Sequence, residues 1–407
     1  WNRNEMTMMK KILFVMLMSF LGSTLFGQNV SMTIMKAKAL AENRQFDEAI
    51  STISQAIASE DDPALFLERG ELYLLTNDVQ KAISDFNKAN NLSSGSGEYG
   101  LARSYSKLGD AKNAITHLEK NQTSPYKKEE KVVLLDDLFN NISKSSEWNQ
   151  YIRKDWYSSL ETSLSEIEYY ISTKKTSEAQ AIVKELEDVY GDKNEVKYMS
   201  ALCDYSAGRY SSSISKLSTL LTEEPNNMDY ILLDAKAKYN SGNYAGAASS
   251  FQSLLDHGST DATLFMDLAR CEKNTREYAK ASKNIVMFLS LYPQNEEALQ
   301  LAGEMKVAQG EYLGALDYLS RNLESNPNDA DNYVKRGDVY LMAKSWSLAT
   351  RDYGMALDLN PSNGDTWYNK GMAHVNLQET EDACYCFKMA QKRGNSKAES
   401  QLAKYCK

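Results

Sequence analysis

The sequence predicts an all-α chain, a solenoid of antiparallel helix pairs, and three observations carry that prediction. Small residues recur every 34 positions, at Ala201, Ala235, Ala269, Gly303, Gly337 and Gly371. Two further series keep step with them. Ser213, Ala247, Ala281, Ala315, Ala349 and Ala383 follow twelve residues behind, and Leu217, Phe251, Ile285, Leu319, Tyr353 and Phe387 four residues after those. Finally, 6 Pro and 20 Gly in 407 residues are too few to turn the hairpins of a strand-rich protein. With 42% hydrophobic and 25% charged residues the chain can bury a core and is too apolar to be disordered.

Residues 1–27 read as a secretory signal. Trp1 to Glu5 precede any Met and belong upstream of a true start at Met6, Met8 or Met9. Lys10 and Lys11 form a basic region, Ile12 to Phe26 an apolar stretch broken by Ser19 and Gly22 to Thr24, and Gly27 a small residue at a cleavage point. A spanning helix needs about 20 apolar residues, more than this run or any other supplies. Export to the periplasm or cell surface is therefore expected, with an uncleaved N-terminal anchor as the alternative. No membrane span is expected in the mature chain.

Residues 30–121 carry three helix-pair units. Ala37, Phe46, Ala49, Ile53 and Ala56 mark the first, Phe66, Gly70, Tyr73, Ala82, Phe86 and Ala89 the second, and Ala102, Tyr105, Ala114 and Leu118 the third. Between 122 and 159 the small-residue register lapses. Val132, Leu135, Leu138, Phe139 and Ile142 keep helical spacing, and Trp148, Tyr151, Ile152, Trp156 and Tyr157 follow as a dense aromatic cluster. Two readings fit: a degenerate repeat filled by bulky side chains, or a helical joint that exposes the aromatics for docking.

From 160 to 397, seven 34-residue units hold one register. In the unit 330–363, Tyr333, Gly337 and Tyr340 fall on one helical face, Lys344-Ser345 turns the chain, and Ala349, Tyr353 and Ala356 line the return helix. Pro361 stops it, as Pro225, Pro293 and Pro327 do elsewhere, with Ser259 and Asn395 in the equivalent places. The segment 398–407, with Ala398, Leu402 and Tyr405, is expected to cap the last apolar face.

These residues resemble the tetratricopeptide repeat family. Tyr333, Gly337, Tyr340, Ala349, Tyr353, Ala356 and Pro361 match its 34-residue pattern, as do Trp367, Gly371, Ala383, Phe387 and Ala390, with His374 where Tyr is usual. The resemblance implies a right-handed superhelix whose first helices line a concave groove. It also implies a non-enzymatic scaffold that binds protein or peptide partners there.

The chemistry in the chain agrees with that expectation. A net charge of −9 disfavours a phosphate-binding surface, so no nucleic acid is expected. Nucleotide-loop, zinc-protease, nucleophile-elbow and dinucleotide motifs are missing, and three His in separate repeats leave little for metal or acid–base work. No catalytic residue, cofactor or metal is expected. At the groove positions the resemblance implies, aromatic and cationic groups gather on three successive first helices: Tyr198 and Tyr205, Lys236 and Tyr239, Arg270 and Lys273. Such groups are enriched where binding energy concentrates, so these six form the expected partner patch. Relatives that clamp a terminal carboxylate place Lys and Asn where this chain has Tyr198 and Leu202, so no such clamp is expected. A structural spacer or a carrier for envelope proteins is the alternative, and an enzyme with an unrecognised site the remote one.

In an oxidising compartment Cys384 and Cys406 are expected to form a disulfide that pins the cap. Cys384 and Cys386 are two apart on one helix and face opposite ways; Cys384 is the expected partner and Cys386 stays free, with three reduced thiols as the alternative if export fails. Cys203 and Cys271 stand where other units have alanine, which suits small buried thiols.

Overall fold

The computed structural model describes residues 30–406, and the signal-like segment 1–27 lies outside them. The described residues are helical with no strand. Helix α1 covers 30–42 and pairs in sequence with α2, Phe46–Ile57. Then come α3 (Pro63–Leu75) and α4 (Val79–Leu92), α5 (Glu98–Lys107) and α6 (Ala111–Gln122). Two short helices, α7 (Glu130–Leu134) and α8 (Ser146–Tyr151), flank a 3-10 turn at Asp137–Asn141. Regular pairs resume with α9 (Ser159–Ser172) and α10 (Thr176–Tyr190), α11 (Asn194–Ser206) and α12 (Tyr210–Glu223), and α13 (Met228–Asn240) and α14 (Tyr244–Asp256). They continue with α15 (Thr263–Asn274) and α16 (Tyr278–Leu291), α17 (Glu296–Ala308) and α18 (Tyr312–Ser325), and α19 (Ala330–Met342) and α20 (Trp346–Leu359). The last pair is α21 (Gly364–Asn376) and α22 (Thr380–Lys392), followed by α23 (Ala398–Tyr405). Two compact units divide the chain at Leu264 and Phe265, inside α15.

Within a pair, a small residue on the first helix admits a large one from the second. A Cβ added at Gly337 would lie 2.8 Å from Tyr353, and one at Gly371 2.7 Å from Phe387. Both rings are fully buried. In the first unit Phe86 is shared by two glycines, Gly70 on its own pair and Gly100 on the next. A polar tie spans the same sixteen-residue interval. Arg69 Nε and Nη2 donate to Asp85 at 2.7 and 2.9 Å, and Arg336 repeats that fork on Asp352 at 2.6 and 3.0 Å. Both carboxylates are buried, so each needs its cation.

The turns between paired helices share one device. The backbone N–H five residues on closes onto an earlier carbonyl, as in Asp78 to Tyr73, Glu311 to Lys306 and Ser345 to Tyr340, each 2.8 Å. The residue before the closing N–H is left-handed. Glycine takes that place at Gly208 and Gly310, but Lys344 (φ 60°) and Arg276 (φ 63°) adopt it as well. Glycine is thus not required at these turns; the closing hydrogen bonds outweigh a strain of roughly 1–2 kcal/mol.

In the segment 122–159 most of the aromatic cluster is buried. Phe139, Trp148, Tyr151 and Trp156 stack in series at 5.4, 5.8 and 5.3 Å between centroids. The first three are buried against Ala102, Ala114 and Leu118. These four rings therefore fill space over α5 and α6 and make no exposed patch, while Ile152 is exposed and Tyr157 half-buried. Asp136 and Ser145 start the short helical pieces by accepting from Leu138 N and Trp148 N.

Inside the first unit the chain returns upon its own start. Ser31 Oγ donates to Gly258 O, and Lys38 Nζ to Thr260 Oγ1, both at 2.9 Å. At the other end Asn395 accepts from Lys397 N and Ala398 N and donates to Asp365 at 2.6 Å, which starts α23 against α21. Cys384 is bonded to Cys406 with Cα atoms 5.6 Å apart, and Cys386, Cys203 and Cys271 are buried free thiols.

Two outcomes follow from this packing. Gly337→Ala should lower stability by about 1–3 kcal/mol through overpacking against Tyr353, read from urea denaturation. Gly354→Ala, whose added carbon meets only the flexible end of Lys370 at 3.5 Å, should not destabilise. Cys406→Ser opens a loop of 22 residues and should cost the cap about 3 kcal/mol. Hydrogen exchange should then rise across 398–405 while α21 stays protected; unchanged protection would show that the bond does not hold the cap.

Candidate interaction site

First helices of successive pairs present their side chains side by side, and in the first unit they form a cleft of about 320 Å³. Glu161, Leu164 and Glu168 of α9, Glu195, Tyr198 and Met199 of α11, and Asp229 and Tyr230 of α13 line it, with Lys127, Glu130 and Tyr157 at one side. The 34-residue period produces this directly. Glu161, Glu195 and Asp229 are the same register position in three consecutive units, so one period places a carboxylate beside the next.

The charges divide into paired and unpaired. Lys127 Nζ lies 2.6 Å from Glu161 and 4.6 Å from the centroid of the Tyr157 ring. Lys131 bridges Glu129, at 2.9 Å, and Glu168. Burial works against charge on Glu161, but bonds from Lys127 and Ser158 outweigh it and hold its pKa below the usual carboxylate range. Glu130, Glu195 and Asp229 are exposed and form no ion pair among the described residues.

Two tyrosines form the apolar wall. Tyr198 and Tyr230 lie with centroids 5.2 Å apart. Burial, then the neighbouring Asp229 and Glu168 carboxylates, push the Tyr198 phenol up to about 12. Burial again leads for Tyr230, followed by Glu224, Glu195 and Asp229, and its phenol too is pushed up to about 12.

The six patch residues expected from sequence separate between the two units. In the first, Tyr198 belongs to the cleft wall, while Tyr205 packs on Tyr210 and its hydroxyl accepts from Asn240 Nδ2 at 2.9 Å. Lys236 is exposed, and Tyr239 packs edge-on against Tyr244 at 5.3 Å. In the second, Arg270 bonds Asp267 and Glu297, both at 2.6 Å, and Lys273 bonds Glu304 at 2.5 Å. These two cations tie α15 to α17, so their charge is already answered by the chain. Sequence reasoning passed over Tyr230, because the third place of a first helix is not among the groove positions. The acidic ladder at 161, 195 and 229 was legible and was not singled out.

Among the described residues one group of three metal-capable side chains comes together, His374, Glu379 and Asp382. His374 is half-buried and its Nδ1 bonds Glu379 at 2.6 Å, next to the start of α22. Glu379 and Asp382 are exposed to water, so the group has the build of a helix-start hydrogen bond rather than of an enclosed ligand set.

Residues 34–96 match the tetratricopeptide repeat family model. This stretch is tetratricopeptide repeat, and the helix pairs elsewhere among the described residues share its fold. The C-terminal part of a TPR repeat-containing protein from Cytophaga hutchinsonii shares the fold. It is 15% identical, covers 59% of this chain and 99% of that one, and has a TM-score of 0.52. Among curated relatives, human mitochondrial import receptor subunit TOM70 is 33% identical over 54 residues, 13% of this chain and 9% of its own length. The TPR repeat-containing thioredoxin TDX of Arabidopsis thaliana is 29% identical over 86 residues, 21% of this chain and 23% of its own. The chain thus spans less than a quarter of either relative. No helix among the described residues is long and apolar enough to cross a membrane.

The tyrosine wall of this tetratricopeptide array predicts alkaline sensitivity. A phenol raised on folding keeps its contribution below about pH 10, the unfolded value, and loses it as pH climbs through the folded value. Melting temperature should therefore fall as pH rises from about 10 towards 12, and less steeply once Tyr198→Phe and Tyr230→Phe are combined. Parallel curves for the two proteins would mean that these phenols do not feel the cleft.

Proposed function

We propose that this protein is a non-enzymatic scaffold, binding protein or peptide partners along the first-helix face of its repeats. The observation that carries the reading is the cleft at α9, α11 and α13, where rings and unpaired carboxylates from two successive repeats line one open surface beside the paired acids of α9. A pre-formed face of that kind suits an extended chain, whose side chains dock one after another. A spacer would present solvating charge alone, whereas this face shows Tyr198, Met199 and Tyr230. The second part of the proposal is location: export to the periplasm or cell surface. The basic-then-apolar order of residues 10–27 supports it, and so does the Cys384–Cys406 bond, since paired thiols persist under oxidising conditions.

Affinity purification from the envelope fraction tests both parts. The wild-type chain should retain a small set of proteins. The double variant Tyr205→Ala with Lys236→Ala should lose at least about tenfold of that capture with unchanged helicity, whereas Asn240→Ala, which breaks the same Tyr205–Asn240 tie, should keep it. Undiminished capture would remove this stretch of the face from the binding surface, and recovery of the protein solely in the cytoplasm would overturn the export reading.

A further inference from the structure

We infer that the cleft lined by α9, α11 and α13 takes the cationic side chain, arginine or lysine, of an extended peptide. The inference rests on the scaffold reading above and adds the chemistry of the partner. Glu195 and Asp229 stand at the same place on consecutive first helices, exposed, lining the cleft and paired with no cation among the described residues. Acidic residues are common in first turns because the helix dipole favours them, so carboxylates alone would mean little.

Tyr230 supplies the independent observation. The residue is 6% exposed and lines the cleft, and its hydroxyl bonds no group among the described residues, so it is uncommitted at the cleft wall. Beside it the Tyr198 ring completes a π-rich wall with three carboxylates, Glu168, Glu195 and Asp229, close enough to oppose ionisation of the two phenols. A ring face with a carboxylate at its edge attracts a desolvated cation by both its quadrupole and its charge.

The protein builds the same arrangement from its own residues on the rim. Lys127 sits over the Tyr157 ring and on Glu161. Tyr198 and Tyr230 with Glu195 and Asp229 repeat that ring-plus-carboxylate pattern one and two repeats further on. A divalent ion suits the site less well, because these carboxylates form no three-ligand cluster; among the described residues only His374, Glu379 and Asp382 do. A polyanion would meet unpaired Glu130, Glu195 and Asp229. A peptide is favoured because the carboxylates are spread along successive helices and can meet side chains in series.

The test uses the full chain and three fluorescein-labelled octapeptides of one glycine, serine and leucine sequence. One carries two arginines, one citrulline in their place, and one glutamate. Fluorescence anisotropy should show the arginine peptide binding at low salt and weakening as salt rises. The citrulline and glutamate peptides should bind at least about tenfold more weakly. Glu195→Gln combined with Asp229→Asn should weaken the arginine peptide about tenfold and leave the citrulline peptide unchanged. Tyr230→Phe should weaken the arginine peptide several-fold without lowering the melting temperature. Equal binding of the arginine and citrulline peptides, or an unaltered affinity in the carboxamide variant, would overturn the inference. The two readings fail separately. Partner capture that survives the carboxamide variant, with no arginine preference in the titration, keeps the scaffold and discards the cationic cleft. An arginine preference without any captured partner discards the scaffold and keeps the cleft.

Discussion

Everything in this chain depends on one steric arrangement, a residue with little or no side chain facing a large one sixteen positions later. Gly337 beneath Tyr353 and Gly371 beneath Phe387 leave no room even for a methyl group, so the two helices of a pair meet at the distance set by a ring lying on bare backbone. That distance has consequences. It brings Arg336 within forked reach of Asp352, and it places the turn so that Ser345 N–H can close on Tyr340 O. Once closed, the turn holds Lys344 in a left-handed conformation that lysine disfavours. The packing and the hydrogen bonds therefore determine the backbone of the turn, and its residue type is secondary.

The same arrangement frees the first helices for recognition. Their small residues face the second helices, and the large side chains at other positions are left to neighbouring first helices or to a partner. Where first helices bond to one another, the ties cross from one pair to the next: Tyr205 to Asn240 in the first unit, Arg270 to Glu297 and Lys273 to Glu304 in the second. Cations that looked available on the sequence are engaged in this way. The cleft at α9, α11 and α13 differs because its rim lysines, 127 and 131, answer some of the acids and leave Glu130, Glu195 and Asp229 unanswered.

The two places where the repeat lapses are handled by different physics. Between 122 and 159 the small residues disappear and aromatic rings take their volume, so the helices shorten to single turns around Phe139, Trp148 and Tyr151. After α22 the regular pairs give way to a helix of 8 residues packed on them. A helix that short is marginal alone. Asn395 caps its start and the Cys384–Cys406 bond ties its end. Breaking either tie costs local order rather than the repeats behind it, since each pair contacts mainly its neighbours.

By itself the sequence determined the period, the pairing of helices, the small-over-large contacts and the breakers. All of these are local in the chain, within one 34-residue unit, and so are visible as spacing. It also determined which residues could stand on the first-helix face, including Tyr198 and Tyr205. Only the tertiary structure decided which of those residues remain available. Arg270 and Lys273 are taken up by acids 27 and 31 residues away, and Tyr230, outside the groove positions by register, lines the cleft. The fate of the aromatic cluster at 139–156 was likewise decided by tertiary packing, as was the return of α1 to Gly258 and Thr260. The physical reason is the same in each case. Pairing between repeats depends on where long side chains reach across a gap that register alone does not measure.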